Sequence, residues 1–66
     1  MKSFKVGKRI QKLRKVRGYT QEELAEILGI SRAHTGHIEQ GIKTPSLKLL
    51  ERIAKALKVK VADLFA

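Results

Sequence analysis

Three residues, Gly29-Ile30-Ser31, separate two stretches that each read as a short helix, and this hinge constrains the fold more than any other feature of the chain. The first stretch opens on Tyr19-Thr20-Gln21-Glu22-Glu23-Leu24. Thr20 can accept from the Glu23 amide while the Glu23 carboxylate reaches back to the Thr20 amide, and Tyr19 can pack on Leu24 across the cap. Leu24, Ala25 and Leu28 form its buried stripe, and Gly29 supplies the left-handed residue that stops it. Ser31 caps the next helix, expected from Arg32 to about Gln40, with Gly41 as its stop.

The rest of the chain punctuates itself in the same way. Val6, Ile10 and Leu13 fall at i, i+4 and i+7 on one face of a first helix whose other faces carry Lys8, Arg9, Lys12 and Lys15, and Gly18 ends it. Residues 41–45 read as a loop, and Ser46 caps a fourth helix with Leu47, Leu50, Ile53, Ala54 and Leu57 on its apolar stripe. Val61 to Phe65 add one or two turns behind Lys60, a poor cap. With no strand, repeat or linker pattern, the expectation is an all-α protein, a compact bundle of five helices forming one domain over residues 1–66.

Size and composition narrow what such a bundle can do. A chain of 66 residues buries only about 60% of the surface its unfolded form exposes, and the absence of cysteine rules out a disulfide staple or a thiolate metal site. Most enzymes need a larger concave site, and 42% hydrophobic residues argue against disorder. Charged residues interrupt every apolar run, which excludes a membrane span, and the basic segment from Met1 to Arg17 lacks the apolar core of a signal peptide. The expectation is a cytoplasmic protein with no room for a ligand-sensing domain.

Fifteen Lys and Arg against six Asp and Glu give a net charge of +9, unevenly placed. Residues 1–17 hold eight basic side chains and no acidic one; residues 18–41 hold Glu22, Glu23, Glu26 and Glu39 against Arg32 alone; residues 42–66 are basic again. Two basic flanks around a mildly acidic middle suit a polyanionic partner, nucleic acid before membrane or acidic protein, although a run of charge is often no more than a solvated helix face.

Two short helices joined by a turn of about three residues that contains Gly describe a helix-turn-helix, whose second helix can enter the major groove of DNA. Ala25 lies where that helix crosses the first, and Leu24, Leu28, Ile30 and Ile38 form the shared apolar seam. With Thr35 and Ile38 facing inward, Arg32, Ala33, Gly36, His37 and Gln40 face outward. Arg32 can bond guanine O6 and N7 with its two-pronged head, Ala33 can meet a thymine methyl, His37 can donate to or accept from a base edge, and Gly36 lets backbone approach closely. Arg32, Ala33, Gly36 and His37 are therefore the candidate base contacts. His34 and Gln40 are candidate phosphate contacts.

The sequence resembles the Cro and phage-repressor type of regulator, often called the Xre family. The resemblance runs through Val6-Gly7-Lys8-Arg9-Ile10, Leu13-Arg14, residues 18–25, Leu28-Gly29-Ile30-Ser31-Arg32, Ile38-Glu39-Gln40-Gly41, Pro45-Ser46-Leu47 and residues 53–57, essentially the whole chain. It implies a five-helix domain that binds operator DNA, usually as a two-fold dimer, and regulates transcription. It also implies phosphate contacts from Gln21 and from Lys43 and Thr44 in the loop after helix 3. Glu39 follows the inward Ile38 and Arg14 follows the inward Leu13, and the family has an Arg and Glu pair at the matching positions, so a buried ion pair is expected. Two departures stand out: Thr35 where an aliphatic anchor is usual, which needs a backbone acceptor for its hydroxyl, and Lys60 where a small hydroxyl residue commonly caps the last helix.

Other classes of function fare less well. His34 and His37 are three apart, but a zinc site wants three or four ligands and only Glu39 lies near in sequence, so no metal or other cofactor is expected. No nucleophile is paired with a base and its orienter, which argues against catalysis; Thr20 and Ser31 read as helix caps. Double-stranded DNA is the expected partner, with a homodimer joined through Val61, Leu64 and Phe65 and no small-molecule ligand. The competing readings are an antitoxin or other protein-interaction module with secondary DNA binding, and a membrane-surface peptide that uses basic helix 1.

Overall fold

The computed structural model describes residues 3–66, so Met1 and Lys2 of the expected domain lie outside the described residues. The chain forms α1 (Ser3–Val16), α2 (Gln21–Leu28), α3 (Arg32–Glu39) and α4 (Leu47–Leu57), followed by a 3-10 helix at Val61–Phe65. The expected five helices are corrected to four α-helices among the described residues, because the last segment winds more tightly. Lys60 offers no side-chain cap. The Asp63 carboxylate accepts from the Lys60 N–H at 2.9 Å, and the Asp63 N–H donates to the Lys60 carbonyl at 2.9 Å, an i to i+3 closure. Five residues with a β-branched first position are also too few to offset the nucleation cost of an α-helix.

Helix boundaries follow the local chemistry. Thr20 Oγ1 accepts from the Glu23 N–H at 3.0 Å while Glu23 Oε1 accepts from the Thr20 N–H at 2.8 Å. Ser31 and Ser46 cap α3 and α4 through the His34 and Leu49 N–H groups. At the end of α2 the Gly29 N–H donates to the Glu26 carbonyl and the Ile30 N–H to the Ala25 carbonyl, with Gly29 at a φ of 69° that only glycine adopts without penalty. The same paired bonds end α4 at Lys58, which holds a φ of 59° despite its side chain.

The core gathers one stripe from every helix: Val6 and Ile10 from α1, Leu24 and Leu28 from α2, Ile38 from α3, Leu50, Ile53 and Leu57 from α4, and Leu64 from the 3-10 helix. Leu47 does not join it. This first residue of α4 is 65% exposed: it shares a face with the buried Leu50, Ala54 and Leu57 but sits at the helix start, past the edge of the core. Thr35 is buried, and its hydroxyl donates to the Ser31 carbonyl at 3.2 Å, so the missing aliphatic anchor leaves no unpaired group. Gly7 makes a close crossing: a Cβ there would strike the Ile38 carbonyl oxygen and come within 2.6 Å of the Glu39 carbonyl oxygen. The absent side chain lets α1 lie directly on the end of α3.

Candidate nucleic-acid interface

A buried polar network at the start of α2 and the end of α3, away from the hinge, fixes α3. Arg14 Nε donates to Glu39 Oε2 at 2.6 Å and Arg14 Nη2 to Glu39 Oε1 at 3.1 Å, a two-pronged ion pair with both side chains buried. Arg14 Nη1 donates to the Tyr19 carbonyl at 2.7 Å, and Gln21 Nε2 donates to Glu39 Oε1 at 3.0 Å. No buried side-chain polar atom among the described residues lacks a partner. The network thus ties the end of α1, the start of α2 and the end of α3 into one rigid piece.

Above it, α3 turns one face outward. Gln21, Arg32, Ala33, Gly36, His37 and Gln40 line a shallow open depression, which brings together all four expected base contacts with two of the five expected phosphate contacts. Arg32, Ala33, His37 and Gln40 are exposed and Gly36 is half-buried. His34 is half-buried outside that lining. Lys43 and Thr44 are exposed in the loop after α3, and the Lys43 N–H donates to the His37 carbonyl at 3.2 Å, which holds the loop against the helix end. Gly36 differs from Gly7 in one respect. A Cβ at Gly36 would meet nothing closer than the Gln21 side chain at 3.7–4.0 Å, an ordinary contact. A glycine inside a helix costs about 1 kcal/mol against alanine, and the packing around Gly36 gives no reason for that cost.

Three arginines that swell the basic count are structural. Arg9 Nε donates to the Asp63 carbonyl at 2.9 Å, Arg17 Nε to the Leu57 carbonyl at 2.7 Å and Arg52 Nη2 to the Leu28 carbonyl at 2.7 Å. Two of these acceptors are the last residues of α4 and α2, where unpaired carbonyls and the negative dipole end favour a cation. No sequence signal marks them, since each joins residues at least 24 apart. Gly7 and the Gln21–Glu39 bond also escape sequence reasoning, although a glycine in mid-helix is itself a flag.

The expected dimer residues are split by the fold. Leu64 is 0% exposed and fills the core, so its place in a dimer surface is corrected; the 3-10 turn points it inward between α1 and α4. Phe65 is 49% exposed, and Val61 packs partly against the core.

Two capped helices across a three-residue glycine turn, the second with an outward face of Arg, His and Gln over a buried ion pair, define a helix-turn-helix domain. Residues 10–64 match the helix-turn-helix family model. The chain is 41% identical over 58 residues to the uncharacterized HTH-type transcriptional regulator YazB of Bacillus subtilis, covering 88% of this chain and 84% of that one. It is 38% identical over 60 residues to the B. subtilis regulator SinR, covering 89% of this chain but only 54% of SinR. Among solved structures, the restriction-modification controller protein C.AhdI of Aeromonas hydrophila superposes with a TM-score of 0.90 at 35% identity and 96% coverage of both chains. SinR, solved in complex with DNA, superposes with a TM-score of 0.85 at 35% identity, covering 92% of this chain and 98% of that one. The chain belongs to the helix-turn-helix family.

Proposed function

We propose that this chain is a transcriptional regulator that binds double-stranded DNA sequence-specifically, reading the major groove with α3. The observation that carries the reading is the outward depression over Arg32, Ala33, Gly36 and His37, held in place by the Arg14–Glu39–Gln21 network. Arg32 reads a guanine, Ala33 and His37 touch neighbouring base edges, and Gln21, His34, Gln40, Lys43 and Thr44 flank them toward the phosphates. Gln21 opens α2, where the helix dipole adds to phosphate attraction. Binding alone does the work, with no chemical step and no cofactor, on DNA in the cytoplasm. No described helix is long and apolar enough to cross a membrane. We take residues 1–66 as one DNA-binding domain that pairs as a homodimer through Phe65 and Val61, since one short recognition helix reads only a half-site.

Selection from random duplex DNA, followed by affinity measurements over a salt series, tests the reading. Arg32→Ala should cost about 1–3 kcal/mol on the selected duplex and relax preference at one base position, whereas Lys43→Ala should weaken selected and scrambled duplexes alike and lower the salt slope by about 1. Equal losses on both duplexes for Arg32→Ala would reassign that residue to the backbone. Sedimentation tests the pairing: Phe65→Lys should shift the protein toward monomer, and a wild type that stays monomeric on saturating DNA rules the dimer out.

A further inference from the structure

We propose that the hollow at Gly36 is a specificity pocket for the C5-methyl group of a thymine, an inference that rests on the DNA-binding reading above. The starting observation is a helix-propensity cost with no structural return. Gly7 must lack a side chain because α3 carbonyls occupy the space, but a Cβ at Gly36 would rest at 3.7 Å from Gln21 without forcing anything aside. Gly36 adopts no left-handed conformation that would demand glycine. Its missing methyl therefore serves something outside the chain, and the place left open lies on the lining of the outward depression.

The chemistry of that place selects the occupant. A phosphate wants donors, but Gly36 is the fifth residue of α3, so its N–H belongs to the helix ladder and its carbonyl accepts from the Gln40 N–H at 2.9 Å. The nearest group is the Gln21 side-chain amide, whose Nε2 already donates to Glu39 Oε1 at 3.0 Å; the bare Gly36 Cα and the Ala33 methyl are the apolar surface on that lining, and thymine alone presents a methyl group in the major groove. Arg32 lies one turn before Gly36, about 6 Å along the helix axis, or roughly two base-pair steps at 3.4 Å each. The thymine accordingly falls within about two base pairs of the guanine that Arg32 reads.

Uracil removes only the methyl, which makes the test direct. Wild type and Gly36→Ala are titrated against the duplex recovered by selection and against copies with each thymine replaced in turn by uracil, with urea unfolding of both proteins as a control for folding. One uracil should weaken wild-type binding by roughly four- to tenfold. Gly36→Ala should lose affinity on the thymine duplex by a similar factor, show no further loss on that uracil copy, and have a urea midpoint at or above wild type. The proposal is overturned if Gly36→Ala binds the thymine duplex as tightly as wild type, or if the two losses multiply independently at every thymine. A recovered duplex with those results leaves the DNA-binding reading standing, whereas failure to recover any duplex removes that reading and the pocket with it.

Discussion

Glu39 would be an isolated charge in the interior of a very small protein were Arg14 not gripping both of its oxygens. Removing one partner of a buried pair costs about 3–5 kcal/mol, against a total stability of roughly 3–10 kcal/mol for a chain of this length. Glu39→Ala should therefore lower the urea midpoint sharply, and Arg14→Ala should do nearly the same. Arg14→Met with Glu39→Met, which removes both charges, should recover much of the loss, because the desolvation of two ions goes with them. Urea denaturation of the four proteins checks this, and single variants with surface-like losses would contradict it. Gly7 supplies a second residue-scale test, one that runs against propensity. Alanine there gains about 1 kcal/mol as a helix former, yet its methyl must push α3 backbone aside, and overpacking of that kind typically costs 1–3 kcal/mol. Gly7→Ala should accordingly lower the urea midpoint; an unchanged or raised midpoint would mean the α1–α3 crossing is looser than described.

At the scale of the element, what was legible in the sequence was what is local. Thr20, Ser31, Ser46, Gly29 and Gly41 each mark a boundary through bonds to residues a few positions away, so the helix starts and stops could be read from spacing alone. Leu47 misled because helical periodicity says which residues share a face but not where along the helix the core ends. The last segment misled because its i to i+3 winding depends on the Asp63 side chain and on the need to drive Leu64 into the core. In the candidate site, the outward face of α3 followed from the inward positions of Thr35 and Ile38, whereas the Gln21–Glu39 bond and the arginine bonds to distant carbonyls depend on tertiary proximity. Lys58 is the boundary that chemistry leaves unoptimised: it ends α4 in the left-handed conformation at a φ of 59°. Lys58→Gly should relieve that strain by about 1 kcal/mol, raising the melting temperature by roughly 4–8 °C. A lower melting temperature by circular dichroism would show that Lys58 contributes contacts worth more than the strain.

For the whole molecule, the fold redistributes a charge that the sequence only sums. Arg9, Arg14, Arg17 and Arg52 are drawn inward or onto helix-end carbonyls, while Lys5 and Lys12 stay on the exposed face of α1 and Arg32 and Lys43 stand at or beside the outward face of α3. A net charge of +9 attracts any duplex through its phosphates, and the α3 face adds hydrogen-bonding side chains held over the buried Arg14–Glu39 pair. We propose this face, and not the basic surface at large, as the one that meets DNA. Titration of the 15N-labelled protein with the duplex obtained by selection, followed residue by residue in amide spectra, locates the contact. The largest shifts should fall on Gln21, on Arg32 to Gln40 and on Lys43 and Thr44, with the exposed face of α1 and the surface around Arg52 little changed; shifts concentrated on Lys5 and Lys12, with α3 unmoved, would put the DNA on α1 instead.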